Sequence, residues 1–254
     1  MNIIVATKLV PDLVEELKLN ESNTALDPDW LRLKLNEFDD HAIEQAILLK
    51  ERGGDQVVVI AIDGEGADDV LYSAAARGAD RLIKITLETD LPLNNHALAR
   101  CLAPIIKELQ AGLVLTGVQA HNDLDGALGP LLAGCLEIPY IGYVSSVSVH
   151  TGIVVVKKEF SGGLAAEIEA PMPAVLGIQA AESPPRYVAF SRIRQMMKSV
   201  TIEERPVIVV EDSGGPHILR MQIPESAERA QILDGSPEMV AENLVEIFTS
   251  LGVL

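Results

Sequence analysis

The sequence predicts an α/β fold: a mostly parallel, doubly wound sheet with an antiparallel hairpin extension and a protruding C-terminal arm. Three observations predict it. Over the first half of the chain, short unbroken apolar runs alternate with segments of helical period, as in parallel strands covered on both faces. Residues 143–170 change to short strands separated by Gly-containing turns, the pattern of antiparallel hairpins. From Glu182 the chain becomes proline-rich and then basic, in an otherwise acidic molecule.

Taken in order, residues 2–7 are a buried strand, and KLVPD leaves it through a proline. Residues 13–35 show weak periodicity and read as a loop or peripheral hairpin, with Trp30 as a packing anchor. Asn36 opens a helix as its cap, and Asp39 stands where a capping-box acid would. Ala42, Ile43, Ala46 and Ile47 mark its apolar face, and Gly53-Gly54 ends it. Residues 57–62 are an apolar strand that runs into Asp63-Gly64. Val70, Leu71, Ala74 and Ala75 form the next helix face, closed by Gly78. A strand at 81–85, a helix at 94–109 and a strand at 113–116 follow. That strand breaks at Gly117 into a polar loop, 118–125, and a buried helix, 126–136.

Hairpin strands are expected at 143–149, 153–160 and 164–170, then an apolar segment at 171–180. A short helix is expected at 191–198, a strand at 207–210 and a final helix at 237–251. The domain reading is an α/β nucleotide-binding domain at 1–181, an arm at 182–206 and a C-terminal extension at 207–254.

Composition limits the function. The 254 residues suffice for one large domain, and 48% are hydrophobic, ample for a core. A net charge of −17 repels nucleic acid and anionic membranes as main partners. It leaves a nucleotide open, because local N–H groups hold a phosphate. Cys101 and Cys135 form neither a zinc pattern nor a disulfide framework and suit a reducing compartment. No basic leader precedes the first strand, and no apolar run approaches the roughly 20 residues of a membrane span. The expectation is a cytoplasmic protein without membrane insertion.

Strand, glycine, polar loop and helix is an arrangement that binds phosphate, and also that of an ordinary βα turn. In open parallel sheets, ligands bind beyond the carboxyl ends of strands where connections diverge. Here Ala6-Thr7-Lys8, Asp63-Gly64 and residues 117–125 supply such ends. Groups for catalysis are scarce. None of the five histidines has metal-ligand spacing, and His121 alone lies in the polar loop. No G-x-S-x-G, P-loop lysine or H-E-x-x-H occurs. Asp123 and Asp125 read as helix-capping groups, with paired acids as the alternative. The residues describe a binding protein, in which redox chemistry would come from a cofactor. In the arm, Arg186, Arg192, Arg194 and Lys198 interleave with Phe190, Ile193, Met196 and Met197. Such a stretch either packs locally or forms a partner-binding surface.

Six stretches, in order, carry a resemblance: IIVATKLVPD, NEFDDHAIEQAILLKE, GADRLIKI, TGVQA with GP and LAG beyond it, VVVKKEFSGGL, and PRYVAFSRI before a basic helix. Over essentially its whole length the chain resembles the β subunit of electron transfer flavoproteins. The resemblance implies an electron carrier rather than an enzyme, in a heterodimer whose α subunit makes most of the FAD contacts. It implies a second nucleotide on the β subunit: AMP in ordinary members, a second FAD in electron-bifurcating ones. The implied lining is Ala6, then Asn36, Glu37, Phe38 and Asp39, then Asp63, then the loop 117–128. Within that loop it takes in Gly117, Gln119, Ala120, Asn122, Asp123, Asp125, Gly126, Ala127 and Leu128.

The resemblance also implies that the arm grips flavin dehydrogenases of the acyl-CoA type, with Phe190 as apolar anchor and Arg192, Ile193 and Arg194 around it. By the same resemblance the C-terminal extension is expected to dock on the α subunit, and electrons to pass to an acceptor such as a quinone oxidoreductase. The chain departs from the family's loop pattern, which runs close to G-K-Q-A followed by acids. The lysine position is Val118, the first acid is Asn122, a later acidic position is Leu124 and a glutamine position is Ala127. The D-G-D-T type loop of bifurcating members is absent, and Leu13-Val14 offers no aromatic ring to a flavin. Two further readings stay open: a stand-alone nucleotide sensor, and a structural subunit whose nucleotide site has decayed.

Overall fold

The computed structural model describes residues 1–87, 94–124, 126–208, 214–224, 230 and 232–254. The chain forms two units, Met1–Arg220 and Met221–Leu254.

In the first unit the chain runs β1 (Asn2–Thr7), β2 (Leu9–Pro11), β3 (Leu33–Leu35), α1 (Glu37–Gly53), β4 (Gln56–Ile62), α2 (Ala67–Arg77) and β5 (Arg81–Leu87). It continues through α3 (Asn95–Glu108), β6 (Ala111–Gly117), α4 (Leu128–Leu136), β7 (Tyr140–His150), β8 (Ile153–Glu159), β9 (Ala165–Pro171) and β10 (Ala174–Ile178). The arm carries α5 (Phe190–Ser199), and β11 (Glu203–Val207) follows it. Nine strands form one sheet in the order β11-β5-β4-β1-β6-β10-β7-β8-β9. Every pair from β11 to β7 is parallel, and β7-β8 and β8-β9 are antiparallel. The mostly parallel sheet with its hairpin extension is therefore the architecture expected from the sequence.

The unbroken apolar strands follow from helices on both faces. Ile3 and Val5 belong to a core with Val57, Val59 and residues of α1 and α2. Their neighbours Ile4 and Ala6 belong to a second core with Val58, Ile60 and residues of α3 and α4. Alternate side chains point to opposite faces, so both faces of the inner strands are lined mostly by apolar residues. From β1 the chain steps outward to β4 and β5, and then returns past β1 to β6. The switch point lies between β1 and β6, and a crevice opens beyond their carboxyl ends.

Several local expectations need correction. Asn36 occupies the N-cap position of α1 but makes no side-chain cap bond, because its amide is used elsewhere. Residues 9–35 hold the short hairpin β2-β3. Trp30 is 60% exposed, and its ring is covered by the Lys18 ammonium at 3.3 Å rather than by a core. The strand expected at 207–210 is β11, which pairs with β5 through Glu203–Val207; Val209 and Val210 lie outside the described residues. Its polar EERPV sequence suits an edge strand, where a proline costs no ladder bond.

The arm leaves β10 and is tied to α1. The Arg186 backbone N–H and guanidinium both donate to buried Glu44, and the guanidinium also reaches Glu51. Glu182 meets Gln45 and Arg52. The Arg52 hydrogen bond is the main reason the Glu182 carboxyl lies low, at about 2. Helix α5 packs against α2, with Ile193 and Met196 half-buried.

The second unit contains α6 (Pro237–Ser250), capped by the Ser236 hydroxyl, which accepts from Met239 N–H. No residue of α6 is buried within that unit. No helix among the described residues is long and apolar enough to cross a membrane.

Candidate functional site

The crevice is organised by Asp39, in the first turn of α1. It does not act as a capping-box acid. Its Oδ2 accepts from Lys8 N–H at 2.8 Å, just past β1, and its Oδ1 accepts from Gly117 N–H at 2.6 Å, at the end of β6. One carboxylate thus ties together the two strands of the switch point. Asp39 is buried, and burial pushes its carboxyl up to about 6, against the pull of Lys8, Gly117 and Asn36. Asn36 adds a second tie. Its N–H donates to Lys8 O, and its Nδ2 donates to Gln119 O at 2.9 Å.

Gly117 is required by this close approach. A Cβ there would lie 2.6 Å from Asp39 Oδ1, 2.7 Å from Phe38 Cβ and 2.9 Å from Asn36 Nδ2. The missing side chain therefore makes room for the start of α1, not for a phosphate.

Beyond Gly117 the loop folds back on itself. Lys8 Nζ lies 2.6 Å from Asp123 Oδ1, in an ion pair whose side chains are 15% and 11% exposed. Asp123 Oδ2 accepts from Ala120 N–H at 2.8 Å. Asp123 is thus a loop-closing acid and makes no helix cap. Asn95 Oδ1 accepts from Lys8 Nζ, and its Nδ2 donates to Asp123 Oδ1 and to Gly126 O. Lys8, Asn36, Asp39, Thr116, Gln119 and Asp123 line a cavity of about 10 Å³, room for about one water. The Thr116 hydroxyl lies in its wall, buried and without a hydrogen-bond partner among the described residues.

Counting the N–H groups shows what is left for a ligand. Gly117, Val118, Ala120 and Asp123 N–H are all used internally, Val118 donating to Ile178 O. Helix α4 is different. Ala127 stands at its N-cap and offers no side-chain acceptor. The first-turn N–H groups, apart from the one Pro130 lacks, keep no side-chain cap and carry the positive partial charge of a helix start, beside a cavity that Leu128 helps to line.

The sequence-predicted residues divide accordingly. Asn36, Asp39, Gly117, Gln119, Ala120, Asp123, Gly126, Ala127 and Leu128 gather around the β1–β6 crevice. Ala6 lies in the wall of β1 with its side chain buried. Glu37 and Asn122 are exposed, and Phe38 is half-buried. Asp125 lies outside the described residues. Asp63 is exposed at the end of β4 and lies 3.8 Å from Lys84, which also pairs with Asp68 and Glu204. His121 is exposed, whereas His41 Nδ1 accepts from Ala181 N–H. In the arm, Phe190 is 62% exposed, with the Arg194 guanidinium 4.7 Å from its ring centre. Arg192 is exposed and lines a groove of about 490 Å³ with Arg77, Arg186 and Tyr187.

Two residues of the crevice, Asn95 and Thr116, were not expected there from the sequence, and Lys8 was expected only as part of a strand end. A signal existed for Asn95. Asn94 caps α3, its side chain accepting from Ala97 N–H, so a second asparagine beside it has no capping task. Among the described residues no group of three or more His, Cys, Asp or Glu is placed to hold a metal.

Over most of its length the chain is similar to known proteins of one family. The electron transfer flavoprotein domain model matches residues 30–210. The electron transfer flavoprotein subunit beta of Methylophilus methylotrophus is 29% identical over 259 residues, covering 97% of each chain. The mitochondrial subunit beta of Oryza sativa subsp. japonica is 29% identical over 247 residues, covering 94% of this chain and 96% of its own. The Bacillus subtilis (strain 168) subunit beta is 26% identical over 256 residues, covering 98% of each.

Proposed function

Because the chain belongs to the electron transfer flavoprotein family, where its relatives are beta subunits, we propose that it pairs with an alpha subunit as a cytoplasmic electron carrier. In this reading the heterodimer takes electrons from flavin dehydrogenases of the acyl-CoA type and delivers them to an acceptor such as a quinone oxidoreductase. The redox chemistry would be supplied by FAD, held mostly by the alpha subunit. This chain's own task is to bind and to orient.

The observation that carries the reading is the construction of the β1–β6 crevice. Two strand ends are fixed by one buried carboxylate, and a helix without a side-chain cap begins beside them. An adenine nucleotide such as AMP fits that combination. In this reading its phosphate takes the first-turn N–H groups of α4, and the enclosed Thr116 hydroxyl leaves an unmet polar group next to the site. Lys8 is held beside the loop by Asp123 and Asn95 and supplies a cation where the loop has Val118.

The arm supports the second half of the reading. Phe190 and Tyr187 are exposed, at 62% and 90%, on a segment anchored by Arg186 to buried Glu44. Exposed aromatic groups on a rigid base, interleaved with arginine, suit the centre of a docking surface. The exposed apolar residues of α6 would dock that unit on the alpha subunit.

A second reading has its own support. Four N–H groups of the loop are spent internally, and the enclosed cavity holds about one water. A structural subunit that shapes the flavin pocket without a nucleotide of its own would look like this. The test is a nucleotide inventory of the purified heterodimer after denaturation. One FAD and one AMP support the carrier with an occupied β site, and one FAD alone supports the structural subunit. Two FAD point to electron bifurcation, and no flavin overturns the carrier.

A further inference from the structure

Asn95 is the first residue of α3, and only 3% of it is exposed. Asn94 already caps the helix, so the Asn95 amide is free for other work. It uses both of its ends. Oδ1 accepts from Lys8 Nζ at 3.0 Å, while Nδ2 donates to Asp123 Oδ1 at 2.7 Å and to Gly126 O at 2.6 Å. Only an amide meets these three partners, because one end must accept from an ammonium and the other must donate to a carboxylate and a carbonyl. The same side chain therefore holds the loop on either side of residue 125 and ties it to the end of β1.

We propose that Asn95 is the positioning residue of the nucleotide loop: it fixes the approach to α4 and so sets the affinity for an adenine nucleotide's phosphate. The inference deepens the reading of the crevice as a nucleotide site and rests on it. The physical argument is pre-organisation. Gly126 has a φ of +95°, and the chain turns there directly into the α4 N-cap. A loop left to fluctuate at that point must be ordered by the incoming phosphate, at the expense of affinity. With Gly126 O and Asp123 both held, the first-turn N–H groups of α4 stand in place beforehand. Asn95 touches the loop and not the ligand, and acts through Asp123 and Gly126.

The test uses the full chain co-purified with its alpha subunit, with Asn95→Ala, Asn95→Asp and the reciprocal swap Asn95→Asp/Asp123→Asn. Amide hydrogen exchange without added nucleotide reads the loop, and calorimetric titration with AMP reads the site. Asn95→Ala is expected to speed exchange across residues 118–128 and to weaken AMP by about tenfold or more, as for hydrogen bonds to charged groups. Asn95→Asp is expected to be worse, since it sets two carboxylates together. The swap is expected to recover part of the affinity. It restores an acceptor for Lys8 and one bond between positions 95 and 123, but leaves Gly126 O without a donor.

Unchanged exchange in the loop overturns the proposal. So does faster exchange spread evenly through β1 and β6, which marks a general packing role. If wild-type protein binds no AMP but the loop loosens as expected, the positioning role stands and the nucleotide reading falls. Should Asn95→Asp fail to fold, Asn95→Gln keeps the amide, changes its reach and is read in the same way.

Discussion

Asp39 Oδ1 accepts the Gly117 N–H at 2.6 Å, and a methyl group on Gly117 would itself stand 2.6 Å from that oxygen. The hydrogen bond and the absence of a side chain are thus one requirement. Gly117→Ala must push α1 away from β6 or break the bond. The expected cost is about 2 kcal/mol, in the range of overpacked core positions, measured by urea unfolding. A cost near zero would show that the start of α1 yields easily.

The pH dependence of stability should carry the signature of Asp39. Its carboxyl lies at about 6 in the folded protein against an ordinary 3.8. Between those values the folded chain holds a proton that the unfolded chain releases. The stability from this group is therefore greatest below pH 4 and is lost as pH rises through 6, with a ceiling of about 3 kcal/mol. Asp39→Asn does not titrate and should lack that slope, although it also loses one N–H acceptor. Subtracting the two urea-unfolding profiles from pH 4.5 to 7.5 isolates the effect, and parallel profiles refute it.

Arg186→Met leaves the Glu44 carboxylate buried with, among the described residues, the residue 186 backbone N–H as its one remaining partner. Removing one member of a buried pair costs about 3–5 kcal/mol, mostly because the other charge stays uncompensated. Glu44→Gln in the same background should recover about half, since a neutral amide is cheaper to bury. A double-mutant cycle by chemical denaturation measures the coupling, and additive single effects count against it.

Phe190→Ala is expected to slow electron transfer from a partner dehydrogenase by about tenfold, the scale of losing one interface anchor. Stability should stay within about 0.5 kcal/mol, as for exposed positions, and FAD content should not change. Stopped-flow flavin reduction beside a thermal melt separates the two. An unchanged transfer rate removes Phe190 from the docking surface.

Thr116→Val tests the orphan hydroxyl. Without ligand the substitution should be neutral or stabilising by up to about 1 kcal/mol, because a buried unpaired hydroxyl is replaced by an apolar group of like shape. If AMP uses that hydroxyl, the same variant binds it more weakly. A destabilised ligand-free variant would mean that the hydroxyl already has a partner, such as a buried water.

The fold was legible because burial on both faces writes itself into sequence: the run from Ile3 to Ala6 is unbroken by any polar residue that would reveal which face each one serves. The crevice was legible through Gly117 and the polar loop, but the roles of its residues were not. Asp39 has the spacing of a cap, and only the approach of β6, 78 residues away in sequence, turns it into a crosslink. Asp123 likewise reads as a cap until Lys8, 115 residues away, meets it. Sequence patterns report local periods, whereas these partners are set by tertiary closure. The bounds of the edge strand β11 escaped for a related reason: a strand was expected at 207–210, and only Val207 of it lies in β11. Its EERPV stretch earns its place by pairing with β5, which hydrophobicity does not record.

The route of the arm has a consequence for recognition kinetics. The chain leaves the middle of the sheet at β10 and rejoins it at the far edge as β11, with Arg186 clamped to α1 between them. A segment tethered at both ends and pinned in the middle behaves as a strut rather than a flexible tether. If a partner docks at Phe190 as proposed, it has little chain to freeze, so little of the contact energy is spent on ordering. Encounters should then be fast, and the quality of the fit around the ring should show in how long the partner stays.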